Sequence, residues 1–305
     1  MRGTSGLFLA ALAACALWII GCSDKSDDES GAISDQEALQ QIMAEDSDIE
    51  SVDAWSGDDN LGGGGGLDEP INTVRWGRVG QRHPDSVTVE IQGDTLATIT
   101  RYISFNGEFR IGALDDTTWT YYNKPMYNAV VRKAHAVRIA RTPRPRQNWR
   151  ISEVTPIVLT STSPNPHSVE PTEVEVYRNT GGGLELLADI TDPLNTYYDR
   201  DNLPWAEPQQ ELHIFLHANT INPAVAVLHP HVYRHGRFPR LMLVDDGTGV
   251  DEVAGDGIYS GTYVTGVNAG VFVSGFDLLD YETMYDSEGP YDAGGWAIPY
   301  RIVVQ

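Results

Sequence analysis

The sequence predicts an α+β domain, made of one short helix and a curved antiparallel sheet, followed by an all-β antiparallel sandwich. Three observations carry this. Apolar residues recur at helical spacing over Ala38, Leu39, Ile42 and Met43. Between Thr73 and Thr160, long stretches alternate apolar and polar in period two, the signature of half-buried strands. From Glu173 onward about eight shorter stretches of the same kind are separated by Gly, Pro, Asn and Asp, as in a sandwich. Charge divides the chain in the same places. Residues 22–69 hold 15 acids and one lysine, residues 70–150 hold 13 bases and six acids, and residues 151–305 hold 22 acids and six bases. The formal net charge of −22 argues against nucleic acid as a partner, because a phosphate backbone requires cationic neutralisation.

The first 22 residues carry Arg2, an apolar run from Leu7 to Ile20 and then Gly21-Cys22, the pattern of a bacterial secretion signal. A membrane span needs about 20 apolar residues, so the run is short for one. Ile19-Ile20-Gly21-Cys22 resembles the lipobox of bacterial lipoproteins. The resemblance implies a signal peptide over residues 1–21, cleavage before Cys22, and acylation of the Cys22 sulfur. Two or three acyl chains anchor a protein stably where one does not. Ser23 in place of aspartate implies, by the same resemblance, the outer membrane or cell surface. Cys15 and Cys22 are the only cysteines, so a chain cut and acylated at Cys22 has neither a free thiol nor a disulfide.

Residues 22–33 read as an acidic, solvated tether. Ser34 with Glu37 forms a capping box ahead of the apolar helical stripe, which predicts a helix over 35–46. Residues 56–67, with five consecutive glycines at 62–66, read as a flexible loop. Val87, Val89 and Ile91 then alternate up to a Gly93-Asp94 turn, and Ala97, Ile99, Phe105, Phe109 and Ile111 continue the period. The aromatics between Trp119 and Tyr127 suggest a packed loop, and Val130–Ala140 and Trp149–Thr160 read as strands around a turn at 143–146. The helix, Val87 to Ala97, the Gly107-centred pair, Arg132-Lys133-Ala134 and Trp149 to Val154 together resemble a nuclear-transport-factor-2-like domain over 34–160. That resemblance implies a cone-shaped fold that hosts both enzymes and binding proteins. The basic residues Arg132, Lys133, Arg138, Arg141, Arg144, Arg146 and Arg150 read either as a solvated face offsetting acidic neighbours or as a dock for an anionic lipid headgroup or glycan.

In the C-terminal part, residues 165–305, the stretch Val244 to Gly261 sets four aspartates and four glycines between two apolar runs. It reads as a long turn closing a hairpin, with aspartates capping their own backbone. The same Asp245, Asp246, Asp251 and Asp256 are oxygen donors of the kind that calcium takes on flexible loops. The pattern Asp-Asp-Gly, Asp, Ala-Gly-Asp-Gly-Ile-Tyr-Ser-Gly resembles a loop of immunoglobulin-like β-sandwich modules in bacterial envelope proteins. Val271 to Asp277 resembles the strand that follows it there. His213 and His217 share a face of one stretch, and His229, His231 and His235 of the next, so a cross-strand zinc site is conceivable.

No nucleophile elbow, metalloprotease helix or phosphate loop occurs in the sequence. The expectation is a lipid-anchored, non-catalytic cell-envelope protein acting in surface binding or assembly, with an envelope protein or glycan as partner, calcium as the expected cofactor and no organic cofactor. The competing expectation is a hydrolase or lyase that pairs His83 or His135 with Asp94 or Glu108 as acid and base. Replacing the anchor residue, Cys22→Ala, is expected to release the protein from the membrane fraction and to abolish labelling with palmitate. Palmitate retained on the variant would show that Cys22 is not the anchor.

Overall fold

The structure, a computed structural model, describes residues 33–45, 59–60, 73–83, 86–230 and 240–304. Cys22, the tether up to residue 32, the glycine run 62–66, His231 and His235 lie outside the described residues.

Helix α1 spans Asp35–Glu45. Its start follows from a reciprocal capping box: Ser34 Oγ accepts from Glu37 N–H at 3.1 Å, and Ser34 N–H donates to Glu37 Oε2 at 2.7 Å. At the far end the Arg101 guanidinium donates to the Met43 carbonyl at 3.3 Å, supplying one of the donors that the last helical carbonyls lack. Leu39 and Met43 are fully buried against Ala97, Ile99, Ala134, Trp149 and Ile151.

The strands follow in order: β1 (Asp59–Asn60), β2 (Thr73–Arg82), β3 (Ser86–Gln92), β4 (Leu96–Asp115), β5 (Thr118–Arg138), β6 (Trp149–Val154) and β7 (Ile157–Ser161). Next come β8 (Val169–Asn179), β9 (Leu184–Ile190), β10 (Tyr198–Asp199), β11 (Trp205–Ala206), β12 (Glu211–Thr220) and β13 (Ala224–His229). The last are β14 (Leu241–Leu243), β15 (Ile258–Val264), β16 (Gly270–Asp280) and β17 (Ala293–Ile302), with the five-residue helix α2 (Tyr281–Tyr285) after β16.

The 20-residue β4 and the 21-residue β5 form one continuous hairpin, paired from Leu96 opposite Val137 to Asp115 opposite Thr118. Trp119 to Tyr127, expected as a loop, is the first half of β5. Its residues still obey the pleat, with Lys124 and Met126 buried while Tyr121, Pro125 and Tyr127 face out. Gly80 opposes Gly107 where β2 crosses β4, and a Cβ on Gly107 would come within 2.4 Å of the Gly80 Cα. Only glycine allows the two backbones to approach this closely.

The larger sheet has 13 strands, with the path β1-β2-β4-β5-β7-β17-β16-β13-β14, and it curls into a half-barrel. The smaller sheet runs β15-β12-β8-β9. Among the described residues all pairings are antiparallel except the short parallel contact of β11 with β17. Inside the curl, Trp76, Phe109, Ile111 and Met126 meet Val225, Val227, Leu279, Met284 and Tyr291. On the other side of β13, β16 and β17, Ala226, Leu228, Phe276, Leu278, Trp296 and Ile298 pack against Val174, Ile190, Ile214 and Leu216 of the smaller sheet. β13, β17 and the second half of β16, residues 275–280, are buried on both faces.

The α+β expectation is thereby corrected: the fold is all-β, and neither a clear nuclear-transport-factor-2-like cone nor a clear immunoglobulin-like sandwich is formed. The physical reason is the register of β7 with β17, where Ile157–Thr160 pairs with Gly294–Ala297. That pairing carries the sheet of the middle region directly into strands assigned from sequence to a separate sandwich. One 11-residue helix covers one end of the sheet and does not constitute a helical layer. No helix among the described residues is long and apolar enough to cross a membrane.

Candidate functional site

The aspartate loop joins β14 to β15. Val244 and Ser260 clamp its base by two backbone hydrogen bonds of 2.9 and 2.8 Å. Asp245 accepts from the N–H groups of Gly255 at 2.6 Å, Asp256 at 3.2 Å and Gly257 at 3.0 Å. Asp251, only 7% exposed, accepts from Gly247 N–H at 2.5 Å, and Asp256 accepts from Ile258 N–H at 3.0 Å. Gly247, Gly255 and Gly257 have φ of +73°, +75° and +84°, which is why glycine stands there. One oxygen from each of Asp245, Asp251 and Asp256 lies within 4.8 Å of the other two. Asp246 stands apart, accepting from Thr248 N–H at 3.0 Å and Thr248 Oγ1 at 2.6 Å. Three of the four aspartates singled out from sequence converge, and the fourth caps a turn. A carboxylate has about four lone-pair positions, so the backbone contacts leave acceptor capacity on each of the three.

The histidines do not assemble as the sequence suggested. His213 and His217 stand on β12 in the smaller sheet, whereas His229 stands on β13 in the larger one and points into the curl. There its Nε2–H donates to Asp277 at 2.8 Å, and its ring meets Trp76 edge-on with centroids 6.1 Å apart. Asp277 also receives both arms of Arg78, at 2.7 and 3.0 Å, while Arg78 Nε–H donates to the Tyr291 hydroxyl at 2.8 Å. All four groups are buried, Arg78 and Asp277 to 1% and 0% exposure. Burial alone would push the Asp277 carboxyl up, but the Arg78 charge and the His229 hydrogen bond outweigh it and hold the group at about 2. Burial dominates at His229 and lowers its pKa, so this imidazole is neutral. Sequence reasoning missed the cluster because Arg78 and Asp277 are 199 residues apart.

A polar groove of 400 Å³ opens on the outer side of β5 and β6, lined in part by Thr98, His135, Arg150, Glu153, Asp199 and Asp201. His135 Nδ1–H donates to Glu153 at 2.6 Å across the β5–β6 pair. The Tyr197 ring stacks on the imidazole with centroids 3.8 Å apart and planes 7° from parallel. The acid that meets His135 is therefore Glu153. Asp94 is instead paired with Arg141 at 3.0 Å, Glu108 with Arg110 at 3.1 Å, and His83 is exposed. Both His135 and Glu153 were on stretches read as strands, but the register that opposes them is not a local property of either.

The basic run is largely spent on the protein's own acids. Arg138 pairs with Asp35, Arg146 with Glu45, and Arg150 with Asp201 at 3.2 Å, while buried Arg132 donates to the Thr155 carbonyl at 3.0 Å. The Arg138 hydrogen bond, helped by the Trp149 indole N–H, holds the Asp35 carboxyl below its ordinary value. Arginine thus ties α1 to the sheet, in keeping with the reading in which these cations offset acidic neighbours.

Replacing one partner of the buried pair, Asp277→Asn, is expected to destabilise the protein by roughly 3–5 kcal/mol, because Arg78 is left charged and uncompensated. Stability is also expected to depend on pH in one direction. His229 is neutral when folded and protonates near 6.5 when unfolded, so stability falls as pH drops through 6.5. Asp277 adds a second loss as pH falls from 3.8 toward about 2. Urea midpoints measured from pH 7.5 to 5 check the first part, and His229→Gln is expected to flatten that slope.

No protein-family model matches the chain, and no curated protein or solved structure matches it either.

Proposed function

We propose that the protein is a lipid-anchored, non-catalytic component of the bacterial cell envelope that acts by surface binding or assembly, with the groove beside His135 as its binding site. The observation that supports this reading is the filled interior of the curled sheet. Trp76, Phe109, Ile111 and Met126 occupy it and the Arg78–Asp277 pair plugs it, which leaves a substrate no chamber there among the described residues. The His135 groove is open and polar. Its carboxylates, guanidinium and hydroxyl, together with the Tyr197 ring, suit a hydroxyl-rich ligand such as an envelope glycan.

A hydrolase or lyase is the second reading, favoured by one observation: His135 and Glu153 stand at 2.6 Å, within the reach that general acid–base work requires. Co-sedimentation of the purified protein with insoluble envelope polysaccharide separates the two. The expected result is saturable binding, weakened at least tenfold by Arg150→Ala or Glu153→Gln, with no soluble fragments released. Fragments that appear with the wild type and vanish with Glu153→Gln would establish the second reading, and no binding at all would remove the groove from both.

Calcium belongs to the first reading as a stabiliser of the aspartate loop, through Asp245, Asp251 and Asp256. At 100 times its dissociation constant a ligand of the folded state adds about 2.7 kcal/mol. For a chain of this size that is a rise in melting temperature at roughly 2–4 °C per kcal/mol. The rise is expected to reverse with chelator and to be lost in Asp251→Ala. Identical melting curves of the whole chain in calcium and in chelator would leave the loop as a hairpin turn without an ion.

A further inference from the structure

The outer face of the smaller sheet carries Glu173 and Glu175 on β8 and His217 on β12. The period of two places both glutamates on one face, while Val174 between them is fully buried on the other. His217 lies directly opposite Glu173 in the register. We propose that these three side chains form a binding site for a divalent transition-metal ion of the zinc class.

Four features carry the assignment. One ligand atom from each residue lies within 4.8 Å of the other two, and His217 Nε2 is 3.2 Å from Glu175 Oε2. Ligands bonded to zinc at about 2.0–2.2 Å in a tetrahedron stand roughly 3.3–3.6 Å apart, so the cluster needs only small side-chain shifts to close on an ion. The donor set fits the chemistry: one imidazole selects zinc, copper or nickel over calcium, and the carboxylates supply charge. The charge is also unbalanced. No lysine or arginine pairs with Glu173 or Glu175 among the described residues, and Asp189 opposes Glu175 on the neighbouring β9. An imidazole cannot offset two carboxylates, whereas a divalent ion does.

Finally, Glu175 is held in place. The Tyr177 hydroxyl donates to its Oε1 at 2.6 Å. The Tyr177 ring is fixed in turn against the edge of Phe215, with centroids 5.8 Å apart at 84°. Tyr177 is a positioning residue in this scheme, orienting a ligand as outer hydrogen-bond partners do in metal sites. With three protein ligands and partial exposure, the ion keeps room for water or an incoming group.

Equilibrium dialysis of the purified, chelator-treated chain against Zn²⁺ tests this. The expected result is one tight equivalent, weakened at least 100-fold by His217→Ala and by Glu173→Gln and about 10- to 100-fold by Tyr177→Phe. His213→Ala, on the same face but engaged with Glu211 at 2.9 Å, is expected to leave it unchanged. Asp251→Asn is expected to leave it unchanged too, which separates this site from the aspartate loop. Absence of a tight equivalent, its persistence in His217→Ala, or its loss in Asp251→Asn would overturn the assignment.

Discussion

The pairing of Arg78 with Asp277 is the constraint on which the rest of the architecture depends. Two charges are removed from water where β2 and β16 face each other across the inside of the curl, and each is supportable only because the other is there. The geometry is two-armed, with Tyr291 and His229 completing the acceptors and donors. A slip of one residue in either strand would turn one charge out of the interior and strand the other. The pair therefore acts on uniqueness of register more than on net stability, the role for which buried polar groups are best suited. Around it stand the apolar side chains of Trp76, Phe109, Ile111, Val227 and Leu279.

That arrangement bears on function by subtraction. A curled sheet would ordinarily offer its inner surface as a pocket, but here it is occupied, from α1 at one end through Ile103 and Val130 to Met284 at the other. The positions proposed for ligands among the described residues all lie outside the curl: the groove beside His135, the aspartate loop and the acidic face of the smaller sheet. Each rests on side chains that alternate with buried ones along a paired strand or on a turn clamped at its base. Sites built this way are held by the backbone pairing behind them and need no closing movement to form.

Much of the secondary structure was legible in the sequence because it is local. The Ser34–Glu37 box and the apolar stripe announced α1, and the eight short stretches set between turn residues after Glu173 are all strands. Trp119 to Tyr127 misled because aromatic density obscured a period of two. The join between the halves was illegible for a different reason. β13, β17 and the second half of β16 are buried on both faces, so they carry no alternation to say which sheet they enter, and Ala293 to Tyr300 is buried without a break. Of the candidate sites, Glu173 and Glu175 could be placed on one face from spacing alone. His217 opposite them, and Glu153 opposite His135, depend on registers that only the assembled sheets define.

The position of β17 has a further consequence for how the chain reaches this state. It lies between β7 and β16 in the middle of the larger sheet, yet it follows all the other described strands in sequence. A ribosome delivers the amino terminus first, so the long β4–β5 hairpin and the smaller sheet are available well before the strand that joins them. Until residues 293–302 emerge, β7 and β16 each present an unpaired edge, the kind of surface that recruits strands from other molecules. Residues 293–302 are thus the keystone of the sheet, and their deletion removes the centre of the structure and not its margin.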